Sequence, residues 1–405
     1  MDMQINTIGK TALTTTLALL LASGNVYAAQ QEPNAVVGSA YSTEEIQQTM
    51  PEGLGDASQV ATPLTFEDAV LLARKNSAEM RNYEDQAEYL QKLKEDIWDI
   101  TGDFNVPSVS YQQWVDPSIY QIYSSIQQIS SNMSKNKYGE EIEKLALEAS
   151  VKNYFTSIFS DESSLDLAQA DVAMKKKLYE QGVRKNELGM LSDYGLQQLK
   201  DDWDNAQFTV DKLELALQQE YNSFYNFLGT EPEKRYTLIY KMEYAPYELS
   251  EDLDKYIDTK LNADYTIKLQ ELAVEDAEFG KNYLARGTTS SQNATNEYTF
   301  QQAQRSLKTA KDNKELAIKN AYQSIVQLES QHDSAVAALE QAEAAKRVAE
   351  INYQVGNSTA ITVEQANLAV EQAKNAILQL EYAHDMQIYQ FENTELLSGS
   401  GTGGM

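Results

Sequence analysis

From Ile318 to Phe391 the apolar positions recur at alternating spacings of three and four residues. Ile318, Ala321, Ile325, Leu328, His332, Ala335, Leu339, Ala342, Lys346, Ala349 and Tyr353 make one row, and Val363, Ala366, Val370, Ala373, Ile377, Leu380, His384 and Phe391 make a second. Such rows are the seam of a coiled coil, where an apolar side chain meets a partner helix about every 3.5 residues. Only Gly356-Asn357-Ser358-Thr359 parts them, so the two helices must fold back as antiparallel neighbours. Thr362 with Gln365 has the form of a capping box that restarts the chain after the turn. At about 1.5 Å per residue each arm is a rod of roughly 45 to 70 Å. Its stripe of Ala alternating with Leu, Ile and Val needs further helices beside it.

The same plan occurs earlier. Helical patterning opens at Leu64 with a capping pair of Thr65 and Asp68, and continues through Phe66, Ala69, Val70, Ala73, Met80, Tyr83, Ala87, Leu90 and Ile97 to about Gly102. Pro107 to Tyr111 alternates like a short strand, and helical spacing resumes after Pro117. A long helix is expected from about Lys137 to Gln181, then a tip containing Gly182 and Gly189. The return helix carries Leu196, Leu199, Trp203, Ala206, Val210, Leu213 and Leu217 in register and stops at Gly229. After a Tyr-rich connector with a short strand near Tyr236 to Tyr240, a helix restarts at Leu249 with Ser250 as cap and runs toward Tyr283. Gly287 to Ser291 breaks it before the long helix that ends at Tyr353.

Leu64 and Leu249 thus open equivalent helices, and each half runs as shorter helix, connector, long helix, Gly-containing tip, long helix. The expected fold is all-α, with long antiparallel coiled-coil hairpins in two tandem structural repeats. The repeats cover 64–229 and 248–395, joined by a connector at 230–247 and followed by a flexible Gly-rich tail at 396–405.

Composition narrows the setting. The 405 residues include seven Pro, no Cys and a net charge of −28. That charge leaves no cationic surplus to displace counterions from nucleic acid, or to hold an anionic membrane surface. Lys10, the apolar run Ala12 to Ala22 and Val26-Tyr27-Ala28 form a secretory signal, residues 1–28, ahead of a polar leader at 29–63. The protein is expected to be exported to the cell envelope. Without Cys it carries neither disulfides nor a lipid-bearing thiol.

Leu64-Thr65-Phe66-Glu67-Asp68-Ala69-Val70-Leu71-Leu72-Ala73-Arg74-Lys75-Asn76 resembles the opening helix of the TolC-type outer-membrane efflux proteins. Glu187-Leu188-Gly189-Met190-Leu191-Ser192 resembles that family's tip motif, and Gly356-Asn357-Ser358-Thr359 matches it with Thr at the Ser position. The resemblance implies a homotrimer whose protomers build a helical tube, a passive efflux conduit through the envelope. It implies docking to a periplasmic adaptor (membrane fusion protein) and an inner-membrane pump, with Gly189, Met190, Ser192, Gly356 and Thr359 meeting the adaptor. It also implies a β-barrel inserted in the outer membrane from the connector of each half. A membrane strand needs about nine to eleven alternating residues, and neither connector has room for two. The barrel is therefore expected to be reduced or absent.

Some residues carry chemistry of their own. His332 and His384 are equally far from the turn near Ser358, so antiparallel arms bring them side by side as a pH-sensitive seam pair that like-charge repulsion would loosen below about pH 6.5. Polar seam residues also fix helix register, and that reading stands beside it. Glu180, Glu187 and Asp193 near the first tip are candidates for an acidic constriction, or form part of a solvated acidic face. No catalytic motif, cofactor loop or metal-ligand set is present, so no enzyme activity, cofactor or metal is expected. Two functions remain: a TolC-like conduit component, and an exported coiled-coil scaffold or envelope-interaction protein that conducts nothing.

Overall fold

The structure is a computed structural model that describes residues 62–101, 106–109, 111–230 and 236–397. The expected signal peptide, the leader up to residue 61 and the tail from residue 398 lie outside the described residues. Strand β1 (Thr62–Thr65) leads into α1 (Phe66–Asn76) and α2 (Ala78–Thr101). Next come β2 (Gln113–Val115), α3 (Pro117–Glu187) and α4 (Asp193–Phe227). The second half repeats the order with β3 (Tyr236–Ile239), α5 (Leu253–Ala263), α6 (Tyr265–Asn282), β4 (Tyr283–Ala285), α7 (Ser290–Gln354) and α8 (Ala360–Glu392). The described chain is thus all-α apart from four strands of three or four residues.

Local chemistry sets the boundaries. The Thr65 hydroxyl accepts from the Asp68 amide at 3.2 Å and opens α1. The single helix expected after Leu64 is two, because Ser77 ends α1 by donating to the Ala73 carbonyl and opens α2 by accepting from the Met80 amide. Asp264 does the same between α5 and α6, accepting from Thr266 and Ile267 amides. Apolar spacing continues across both breaks, which hid them. Helix α3 is one run of 71 residues, about 105 Å long, so the start expected near Lys137 was too late. It begins where Asp116 accepts from the Ser118 amide and Pro117 fills the first turn.

Other expectations are corrected in the same way. Gly182 lies buried within α3 against Leu199, and the chain turns at Gly189 alone. Helix α8 starts at Ala360, so its cap is Thr359 and not the pair Thr362 and Gln365. Helix α5 is capped by Asp252 and not Ser250. Tyr353 faces outward. The strand expected at Pro107 to Tyr111 is displaced to β2.

The two repeats lie side by side. Strands β1 and β3 pair in parallel, Leu64 opposite Leu238, and β2 pairs with β4, Trp114 opposite Leu284. Equivalent places in the two halves therefore meet. The tips Gly189 and Gly356 are 167 residues apart (356 less 189), and the same step relates buried Val151 to Ile318, Ile158 to Ile325 and Phe224 to Phe391.

The seam widens into an aromatic knot in each half. Phe155 meets Phe66 and Phe224 edge-on at 5.9 and 5.6 Å, and Leu64, Leu217 and Leu238 close around them. In the second half Phe391 stacks on Tyr256 at 4.7 Å, with Tyr247 and Tyr322 beside it. Buried Lys314 bonds Asp264 at 3.2 Å and the carbonyls of Thr394 and Leu397, fastening the end of the described chain to α6 and α7.

Truncating the knot tests its weight. Phe155→Ala is expected to cost about 3–5 kcal/mol in denaturant unfolding, and Leu71→Ala on the exposed face of α1 about 0.5 kcal/mol or less. Equal losses at the two positions would show that the knot does not anchor the hairpins.

Candidate functional site: the hairpin tips and a polar layer in the second seam

Both tips are built alike. Helix α3 ends with Gly189 at φ 72°, and the Met190 amide reaches back to the Lys185 carbonyl at 2.8 Å. Helix α7 ends with Gly356 at φ 77°, and the Asn357 amide reaches the Asn352 carbonyl at 2.7 Å. This left-handed cap satisfies the last carbonyls, and its positive φ favours glycine. Three residues after each glycine a hydroxyl starts the return helix, Ser192 accepting from the Gly195 amide and Thr359 from the Thr362 amide. The caps leave apolar side chains in solvent: Leu188 is 74% exposed, Met190 73% and Val355 63%.

The acidic candidates are spread along the tip. Glu180 and Glu187 are exposed on α3 two turns apart, whereas Asp193 accepts from the Asn186 side chain at 2.9 Å and braces the first turn.

The histidines meet across the second seam, each facing a glutamate of the other helix. His332 Nε2 lies 3.1 Å from Glu381 Oε1, and His384 Nε2 lies 3.1 Å from Glu329 Oε1. Tyr244 of the connector stacks on His332 at 3.8 Å between ring centres and tilts against His384 at 5.0 Å. The glutamates and Tyr244 escaped the sequence reading, although the signal was present as Leu-Glu-x-x-His-Asp at 328–333 and again at 380–385. Among the described residues no group of three or more acidic or histidine side chains is arranged to hold a metal ion.

Carboxylates are also buried in the first seam. Glu162 accepts from the Tyr221 hydroxyl at 2.6 Å. Burial pushes its carboxyl up to about 7, the Tyr221 bond opposing and Asp166 and Asp161 adding. Burial, with Glu220 beside it, pushes Asp161 up to about 6.

No known sequence family matches this chain, and no characterised protein matches it in sequence. Solved structures do match in fold. The outer membrane protein VceC of Vibrio cholerae superimposes with a TM-score of 0.59 at 12% identity, over 83% of this chain and 97% of its own. The channel protein CusC gives 0.63 at 12% identity, over 87% and 99%. The MtrE outer membrane channel of Neisseria gonorrhoeae gives 0.54 at 13% identity, over 92% and 100%. The chain therefore has the TolC-type fold of outer-membrane channels. Among its described residues the connectors that precede α3 and α7 hold only β2 and β4, three residues each, where membrane strands need about nine to eleven.

The raised carboxyl of Glu162 has a defined sign. The folded state binds its proton more tightly than the unfolded chain, so its contribution to stability falls as pH rises from about 4.5 to about 7. Glu162→Gln, neutral throughout, is expected to raise the thermal midpoint above wild type at about pH 8 and to flatten its slope across that window. A slope identical to wild type would place the proton elsewhere.

Proposed function

We propose that this protein is a conduit component of the cell envelope, a helical tube wall that carries solutes passively while an adaptor and a pump dock at its tips. The observation that carries this reading is the fold match to outer-membrane channels over most of this chain and nearly all of theirs, at 11–13% identity. A tube needs more than one protomer, and the surface supports that. Tyr194, Phe208 and Leu215 are exposed on α4 at multiples of seven residues, and Val348 and Ile351 are exposed on α7. A second apolar row on an already paired helix is what a further helix packs against. The proposed assembly is a homotrimer.

In this reading the adaptor meets Leu188, Met190 and Val355, with Gly189 and Gly356 fixing the caps and Ser192 and Thr359 holding the next turns. The alternative is an exported coiled-coil scaffold with the same fold and no conduction. The short strands favour it, since a tube without a barrel must join another component to cross an outer membrane.

The mature chain purified from envelope fractions, weighed by native mass spectrometry and reconstituted with its adaptor, separates the two. A trimer that binds adaptor and restores efflux in a strain lacking the chain supports the conduit. A monomer or dimer, or a trimer without effect on efflux, supports the scaffold. Met190→Asp with Val355→Asp is expected to weaken adaptor binding about tenfold or more, roughly 1.4 kcal/mol, because a charge replaces an apolar contact at each tip. The melting temperature should stay within about 2 °C of wild type, since both side chains are solvated. Unchanged adaptor affinity would remove the tips from the docking surface.

A further inference from the structure

The polar layer of the second seam has a counterpart in the first. The step of 167 residues that relates the tips carries Leu165 to His332 and Leu217 to His384. Leu165 and Leu217 are 3% and 0% exposed, and His332 and His384 are 8% and 2% exposed. At this level the first hairpin sets two leucines where the second sets two histidines, with Glu162 and Glu214 at the positions of Glu329 and Glu381. A buried histidine pair in a coiled coil lowers stability relative to leucine and gives the seam groups that protonate.

We propose that the paired Leu-Glu-x-x-His-Asp segments form a proton-released latch between the α7–α8 hairpin and the connector Met242 to Glu248, shut at neutral pH and loosened in acid. The proposal is independent of the conduit reading and holds for a scaffold equally.

The groups around the latch come from four elements. Helix α7 supplies Glu329 and Asp333 beside His332, and α8 supplies Glu381 and Asp385 beside His384. The connector supplies Tyr244 over both rings, while the Tyr247 amide donates to Glu329 at 2.6 Å. From α3, Lys152 pairs with Asp385 at 2.8 Å, and the Tyr240 hydroxyl donates to the same carboxylate. Asp385 is therefore engaged away from the histidines. His332 Nδ1 is buried without a hydrogen-bond partner, so a proton gained there would meet no acceptor.

Burial holds His332 below its ordinary value of 6.5, the nearby His384 adds to this, and Asp333 opposes it. The folded latch therefore binds that proton less readily than the unfolded chain. Its stability is complete above about pH 6.5 and declines as pH falls below it. A cavity of about 250 Å³ lies between the connector and α8, lined by Tyr244, Tyr247, Glu381 and His384, and gives water a way in once Tyr244 lifts. Opening would free the connector while the leucine layer keeps the first hairpin closed.

Hydrogen exchange of the full mature chain, compared at about pH 5.5 and pH 7.5 after correction for intrinsic rates, reads the latch directly. Protection in 242–248 and 381–388 is expected to fall about tenfold at the lower pH, while 158–168 and 214–220 do not lose protection. The double variant His332→Gln, His384→Gln keeps an amide donor for each facing glutamate and takes up no proton. It should fold and lose the pH response of the connector. A flat wild-type profile, or a response that persists in the double variant, would overturn the proposal. Should the variant not fold, carbon-13 titration of the wild-type histidine rings decides: a His332 midpoint below 6.5 supports the latch, and one at or above that value sinks it.

Discussion

A helix in a two-stranded seam can bury only one stripe, and the architecture follows from that limit. Helices α3 and α7 are 71 and 65 residues long, and each is covered by a return helix of about half its length. The rest of each stripe is covered by the shorter pair of the same repeat, α1 and α2 beside α3, and α5 and α6 beside α7. The breaks at Ser77 and Asp264 let those short helices bend to follow the long ones. Aromatic side chains gather where the first short helix, the long helix and the return helix of a repeat converge, because large rings fill the wider gap between helices there.

The repeats differ in how they manage charge inside the seam. Glu162 and Glu329 occupy the same level, yet Glu162 takes a tyrosine hydroxyl of α4 and Glu329 takes His384 and a connector amide. Burial beside a tyrosine partner leaves Glu162 a carboxyl that prefers its proton. Acid therefore tightens the first seam, and burial of His332 makes it loosen the second. One fold carries two opposite responses to the same proton concentration.

Much of the fold was legible because heptad spacing and glycine turns are local signals. Gly189 and Gly356 could be placed from sequence since a left-handed cap selects glycine, and Thr65 since a hydroxyl three residues before an acid satisfies the first amides. The helix breaks were not legible, because Ser77 and Asp264 interrupt the backbone without interrupting the apolar rhythm. The start of α3 was obscured by the polar stretch Ser130 to Lys137, which helix propensity tolerates and hydrophobic spacing does not report. The histidine pairing was legible as proximity. Its partners were not, because a seam reading asks which residues share a face and not which side chain of the facing helix each one meets.

The parallel pairing of β1 with β3 joins Thr62 to Tyr236, and the first aromatic knot also takes in Leu238 and Tyr382. Contacts this far apart along the chain make folding slow, because loop closure must precede the gain from packing. The first knot is therefore complete only when Tyr382, near the end of the second repeat, has joined it, although each long hairpin can pair on its own beforehand.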